Sequence, residues 1–186
     1  DIRNVVKKYM KDQLGVTFLT GAAMENISAS KKGVTASAGT EKLEAEMLLV
    51  SVGRSPVTDN LNAELAGVSL NENGFILTDE LSRTNVDNIY AIGDVASPPW
   101  LAHKASHEGI SVAEQIAGMI VHPIKKDRIP ACTYCDPEVA SIGLTEKEAI
   151  ENGFDFNIGM FPFSANGKAM AMGYEDGFVK TIIQKD

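Results

Sequence analysis

The stretch Thr84–Gly109, TNVDNIYAIGDVASPPWLAHKASHEG, constrains the fold more than any other part of the chain. Ile89–Ile92 reads as a short apolar strand that ends at Gly93-Asp94, and a helix begins at about Leu101. Along that helix Ala102, Ala105, Gly109, Val112, Ala113, Ile116 and Ala117 form a stripe of small side chains suited to close packing on a sheet. In an open α/β sheet, ligands lie beyond the carboxyl ends of the strands. A glycine there lets the backbone come close to a ligand, and an ionised carboxylate accepts hydrogen bonds from ribose-type hydroxyls. Gly-Asp is also ordinary turn chemistry, so spacing alone leaves both readings of Asp94 open.

The helix after it adds a second feature. First-turn N–H groups have no internal partner and carry the positive end of the helix dipole. Aimed at an electron-accepting ring, the segment Trp100–Ala105 would stabilise negative charge that develops on reduction.

Elsewhere the chain alternates helical and strand patterns. Residues Asp1 to Leu14 place Ile2, Val5, Val6, Tyr9, Met10 and Leu14 on one helical face, and Gly15 stands where a left-handed cap would end it. Val16–Thr20 reads as a strand, and ENISASKKGVTASAG as two strands joined at Lys-Lys-Gly. The apolar run Met47–Val52 carries the mark of a strand buried on both faces, closed by Gly53 and Pro56. GFILTDE is a further strand candidate, and composition shifts at His122–Pro130, taken as a boundary. Beyond it Cys132–Tyr134, Val139–Gly143, Phe156–Phe161 and Phe178–Gln184 read as strands. Between them Thr145 and Glu148 make a capping-box pattern for a short helix ending near Gly153. The first helix has no strand before it and the last strand no partner after it, so both ends are expected to be interrupted.

Bulk properties narrow the function classes. The chain has 186 residues, 44% hydrophobic and 23% charged, enough for one large globular domain or parts of two. A net charge of −8 with scattered lysines argues against nucleic acid. No apolar run reaches the roughly 18 residues of a membrane span. Two cysteines are too few for a disulfide framework, so the expected compartment is reducing, cytoplasm or an organelle matrix.

Other candidates are weaker. Gly53 could let the backbone meet a second nucleotide or simply open a loop, and Arg54 could meet a phosphate or stay solvated. Cys132 and Cys135 invite a redox or zinc reading. Three apart on an extended strand, however, they would lie roughly 10 Å apart on opposite faces, whereas a disulfide needs Cα atoms within about 7 Å. His103 and His107 sit four apart on one helix without an obvious third ligand, which favours packing or cofactor-side hydrogen bonding. The remaining carboxylates and lysines read as a solvated face. No G-x-G-x-x-G occurs, and no Ser-His-Asp order appears, so the chain alone supports parts of one or two nucleotide pockets and no complete reaction centre.

Four motifs in order, TNVDNIYAIGD with LAHKASHEG, then YCDPEVASIGLTEKEA and FPFSANGKAMA, resemble the flavoprotein pyridine nucleotide-disulfide oxidoreductase family. Within it, LAHKA…HEG points to the dihydrolipoamide dehydrogenase branch rather than to glutathione or mercuric reductase. The resemblance implies an α/β chain of partial FAD- and NAD-binding Rossmann-like domains, followed by the start of an α+β interface domain. About Asp1 to Pro56 would be the second half of an NAD domain, about Val57 to Arg128 the returning segment of an FAD domain, and about Ile129 to Asp186 the opening of a dimerisation domain.

It further implies that Asp94 holds the ribityl or ribose side of FAD, and that Trp100, Leu101, Ala102 and His103 line the flavin. A methionine is more usual where Trp100 stands. Gly53 would touch NAD, Ala22 would approach its adenosine part, and Tyr134 would sit near the flavin at the domain junction. Threonine is more usual at Cys135, which argues against a redox role there.

Such enzymes pass electrons from dihydrolipoyl groups through a redox disulfide to FAD and then NAD, with a His-Glu pair from the partner subunit. None of His103, His107 and His122 matches that base, so no catalytic residue is assigned and the chain alone is expected to be silent. The implied partners are lipoyl domains, other components of 2-oxoacid dehydrogenase complexes and a second copy of the parent. The rival readings are another flavin disulfide reductase and a non-enzymatic nucleotide-binding module.

Overall fold

The computed structural model describes residues 2–185, which divide into two units, 2–53 and 54–185. In the first, helix α1 (Ile2–Leu14) turns Val5, Val6, Tyr9 and Met10 inward as the spacing predicts, while Ile2 and Leu14 stay exposed. Gly15 ends the helix at φ 66°, and the Val16 amide closes the turn on Met10 O at 3.0 Å. A three-stranded antiparallel sheet follows, β1 (Met24–Ser30), β2 (Gly33–Ala38) and β3 (Glu41–Ala45), in sequential order. The Lys31-Lys32 turn joins β1 to β2 where the sequence places it, with Ser30 opposite Gly33. Gly33 combines φ 134° with a crowded site: a Cβ there would come within 2.5 Å of Ala45 O. The β3 strand was not foreseen.

In the second unit, helix α2 (Ala102–Ile116) lies where the pattern puts it. The antiparallel pairs β4 (Ala131–Thr133) with β5 (Val139–Ser141), and β6 (Phe156–Pro162) with β7 (Phe178–Gln184), match the expected strands within two residues. Short helices α3 (Glu146–Glu151) and α4 (Gly167–Met172) complete it. A small apolar cluster of Ala63, Val68, Ile76, Ala91 and Ala96, backed by Val86, Ile89 and Val95, sits under the segment that leads to Asp94.

Four expected strands are corrected. Val16–Thr20 and Met47–Val52 form no ladder, and Met47, Leu49, Val50 and Val52 are 83%, 88%, 67% and 93% exposed. An apolar run becomes a buried strand only between two neighbours, and among the described residues this one has none. GFILTDE makes a single bridge, Leu70 to Ile76, around a turn in which Asn71 Oδ1 accepts from the Asn73 and Phe75 amides. Ile89–Ile92 likewise makes only the bridge between Arg83 and Tyr90.

The small-residue stripe of α2 is also displaced. Ala102, Ala113, Ile116 and Ala117 are exposed, and the inward face instead carries Lys104, Ala105, Glu108, Gly109, Val112 and Gln115. Close packing is nonetheless real at two points. A Cβ on Gly93 would lie 3.3 Å from Ala105 Cβ, and one on Gly109 3.3 Å from Ile92 Cδ1. Cys132 and Cys135 are free thiols, and Cys135 Sγ donates to Pro137 O at 3.0 Å. Among the described residues no helix is long and apolar enough to cross a membrane, and no group of three His, Cys, Asp or Glu is placed to hold a metal ion.

Helix α3 begins with the expected capping box. Thr145 Oγ1 accepts from the Glu148 amide at 3.2 Å, and Glu148 Oε2 accepts from the Thr145 amide at 2.8 Å. The Thr145 side-chain and backbone hydrogen bonds hold the Glu148 carboxyl below its ordinary value of 4.5. A depressed carboxyl contributes stability that is present above the unfolded value and is lost as pH falls through the folded one. Amides of residues 146–151 are therefore expected to gain exchange protection, relative to α2, as pH rises from 3 to 6. Thr145→Ala should weaken that pH dependence in hydrogen-exchange mass spectrometry, since only the backbone bond to Glu148 then remains.

Gly93→Ala combines a left-handed backbone, φ 73°, with the 3.3 Å contact to Ala105. It should cost about 1–3 kcal/mol of unfolding free energy, readable from the denaturant midpoint. The exposed apolar run 47–52 predicts self-association of the isolated 186-residue chain. Sedimentation velocity should show species larger than a monomer, shrinking when Leu49 and Val52 are replaced by lysine.

Candidate nucleotide site

The backbone arrives at Gly93 extended, with Ile92 at φ −131°, and then turns through a 3-10 turn, Gly93–Val95. Several hydrogen bonds fix that turn. The Ile76 amide donates to Val95 O at 2.9 Å, and the Ala96 amide to Gly93 O at 3.0 Å. Trp100 Nε1 donates to Ala96 O at 3.3 Å, while Ala96 itself is 1% exposed. The loop is thus anchored from below, and Asp94 projects from it with its side chain 57% exposed.

Arg54 reaches Asp94 from the other wall. Its Nη1 donates to Asp94 Oδ2 at 2.9 Å and its Nη2 to Trp100 O at 3.0 Å. The guanidinium also lies over the indole, 5.9 Å from the ring centroid, and Phe75 stacks on the other part of that wall at 5.1 Å and 10°. Among the described residues no donor reaches Asp94 Oδ1. Arg54, Ser55, Pro56, Val57, Phe75, Asp94, Val95 and Trp100 together line a cleft of about 410 Å³. One aromatic wall, one carboxylate with a spare oxygen and one exposed cation can receive a planar ring bearing hydroxyl groups.

Beside this cleft α2 begins. Leu101 is its extended N-cap at ψ 133°, and no side chain caps the helix start. The first-turn amides therefore keep their capacity to donate. Leu101 is half-buried, Ala102 and His103 are exposed, and His103 Nε2 is 2.8 Å from Pro130 O. That contact ties the imidazole to the segment before β4. His107, one turn on, is also exposed.

Of the sequence candidates, Asp94 and Trp100 line one cleft, with Leu101, Ala102 and His103 directly following in the chain. Gly53 and Ala22 belong to the first unit and are exposed there. Gly53 has φ 139° and open space where a Cβ would project, as a close approach by a ligand requires. Tyr134 is 88% exposed.

Sequence reasoning missed Phe75 and left Arg54 undecided between a phosphate contact and solvent. It also assigned Lys104 and Glu108 to a solvated face. Lys104 is 4% exposed, and its Nζ lies 2.6 Å from Glu108 Oε1. Their i,i+4 spacing was the available signal.

A family model described as pyridine nucleotide-disulphide oxidoreductase matches residues 1–109, and the model of that family's dimerisation domain matches residues 129–186. The dihydrolipoyl dehydrogenase of Zymomonas mobilis is 47% identical over 178 residues, 92% of this chain and 38% of that protein. That of Rhizobium etli is 41% identical over 191 residues, covering 100% of this chain and 39% of its own length. The chain therefore spans well under half of the curated relatives it matches.

Among solved structures, the HOCl-induced flavoprotein disulfide reductase RclA of Escherichia coli superposes with a TM-score of 0.90 at 28% identity, over 99% of this chain and 42% of that one. LpdA of Mycobacterium tuberculosis, at 24% identity and a TM-score of 0.89 over 98% of this chain and 40% of its own, shares the fold. With the family model covering residues 1–109 and its dimerisation partner following in order, this chain belongs to the pyridine nucleotide-disulphide oxidoreductase family.

Proposed function

We propose that this chain is the central part of a dihydrolipoamide dehydrogenase that oxidises protein-bound dihydrolipoamide with NAD, and that Asp94 with the start of α2 holds its FAD. The observation that carries this is one loop joining a hydroxyl acceptor to an uncapped helix start. Asp94 offers a free Oδ1 at the cleft, and eight residues later α2 begins without a side-chain cap. An isoalloxazine with its polyhydroxyl tail fits that donor set. Asp94 accepts from tail hydroxyls, Trp100 and Phe75 form the apolar wall, and the first-turn amides of Leu101–His103 donate to the electron-poor edge of the ring. When bound, the flavin supplies reversible two-electron transfer. The protein's part is to orient the ring, shield it from water and stabilise charge at that edge. Gly53 and Ala22 are assigned to NAD on the same reading.

The domain limits follow as proposals: 1–56 to the NAD domain, 57–128 to the FAD domain and 129–186 to the dimerisation domain. The unit division after Gly53 and the family match from residue 129 support them. The expected partners are lipoyl domains of 2-oxoacid dehydrogenase complexes and a second copy of the full-length protein, in the cytoplasm or, in a eukaryote, the mitochondrial matrix. No catalytic residue is assigned within these 186 positions, and the isolated chain should purify without flavin colour.

The test uses the full-length gene product. It should be yellow, reduce NAD with dihydrolipoamide, and turn over glutathione disulfide or mercuric ion at least a hundredfold more slowly. Asp94→Ala should weaken FAD binding about 10- to 100-fold, the range of one or two charge-assisted hydrogen bonds. FAD added to apoprotein should quench the emission of Trp100, the one tryptophan of these 186 positions, and Trp100→Phe should remove that part of the quenching. Unchanged FAD affinity in Asp94→Ala would remove the assignment of this cleft. Preference for either alternative oxidant would transfer the protein to another branch of the family.

A further inference from the structure

The ion pair of Lys104 and Glu108 lies outside the cleft, yet it grips both ends of the loop that forms it. Glu108 divides its carboxylate: Oε1 faces Lys104 Nζ at 2.6 Å, and Oε2 accepts from the Gly93 amide at 2.9 Å. Lys104 Nζ also donates to Ser97 O at 2.8 Å. One side-chain pair on α2 thus holds the amide that opens the 93–97 segment and the carbonyl that closes it. Asp94 follows the first anchor by one residue, and Leu101–His103 immediately precede Lys104. The side chains are 4% and 12% exposed, so solvent cannot replace these contacts.

A buried ion pair is poor evidence of stability, because desolvation offsets much of its attraction and apolar replacements of similar volume are often neutral. What an apolar pair cannot do is bond Gly93 N and Ser97 O simultaneously. From this geometry, and resting on the assignment of FAD to the Asp94 cleft, we propose that Lys104 and Glu108 are positioning residues: they lock the Asp94 loop to the start of α2, so that the hydroxyl acceptor and the ring-edge donors are spaced before the ligand arrives. Preorganisation of this kind raises affinity by removing the ordering that binding would otherwise require. The competing reading is a core pair that merely satisfies two stray backbone groups.

The experiment uses the full-length gene product and two double variants free of buried unpaired charge. Lys104→Met/Glu108→Gln keeps an acceptor for Gly93 N and loses the hold on Ser97. Lys104→Met/Glu108→Leu loses both. Three quantities are read: amide exchange of residues 90–101 in apoprotein, the apoprotein denaturation midpoint, and the FAD dissociation constant. Expected are near wild-type midpoints, at least tenfold faster exchange confined to 93–100, and at least tenfold weaker FAD binding, each larger in the Leu variant than in the Gln variant.

Wild-type exchange and affinity in the Leu variant would overturn the proposal. So would exchange that rises uniformly with a falling midpoint, the signature of a purely structural pair. Should neither double variant fold, Lys104→Met alone decides, because it removes the hold on Ser97 O and leaves Glu108 to accept from the Gly93 amide. Exchange of residues 96–100 must rise there, and an unchanged rate refutes the clamp. If wild-type apoprotein binds no FAD while local exchange still responds, the cleft assignment fails and the clamp stands.

Discussion

Helix α2 lies close against the Gly93 turn at two positions that lack side chains. At Gly93 and Gly109 a Cβ would press to 3.3 Å against Ala105 Cβ and Ile92 Cδ1, so a larger residue at either position would require its neighbour to give by a few tenths of an ångström. The consequences extend beyond packing. At that separation Glu108 reaches the Gly93 amide and Lys104 reaches Ser97 O, bonds that neither side chain could make from a helix displaced by an ångström or two. The small apolar cluster of Ala63, Val68, Ile76, Ala91 and Ala96, with Val95 packed against it, supports the same turn. Asp94 is exposed, but the backbone that carries it is not free to move.

Exposure is distributed unevenly in a way that the family membership makes intelligible. The run Met47–Val52 has the composition of a central strand and the accessibility of a loop. Ile158, Met160 and Phe161 on β6, with Val179 and Ile183 on β7, are likewise exposed along a two-stranded ribbon that needs further cover to be stable alone. Relatives that this chain matches over 38–39% of their length have room for those neighbours elsewhere in their sequences. On the proposed reading, the same missing neighbours account for the strands that composition announces and hydrogen bonding does not deliver.

That contrast marks what could be read from the residues. Elements defined within a few consecutive positions were legible: α1 with its glycine end, the Lys-Lys-Gly hairpin and the Thr145–Glu148 box. Each is stabilised by contacts between neighbours in sequence. Val16–Thr20 and Met47–Val52 were misread because an extended apolar segment becomes a strand only through partners far along the chain. The displaced face of α2 has a different cause. Counting small residues cannot reveal that a lysine and a glutamate go inward when each finds a charged partner and a backbone group to bond. Asp94 was legible as a candidate, whereas Phe75 and Arg54 became part of the cleft only once distant segments met.

Two ion pairs flank the loop, and they differ in kind. The inner one is sealed from solvent, divides its atoms among backbone groups, and has no competitor for them. The outer one, Arg54 with Asp94, is 63% and 57% exposed. Exposed pairs of this sort contribute roughly 0.2–1 kcal/mol and are weakened by salt. A ligand hydroxyl donating to Asp94 Oδ1 need not break it, and one that displaces the guanidinium loses little. Arg54 would still be held by Trp100 O at 3.0 Å and by the face of the indole. The cleft therefore combines a fixed floor with a yielding rim: the position of the carboxylate is set by buried contacts, and its electrostatic partner can shift to fit what enters.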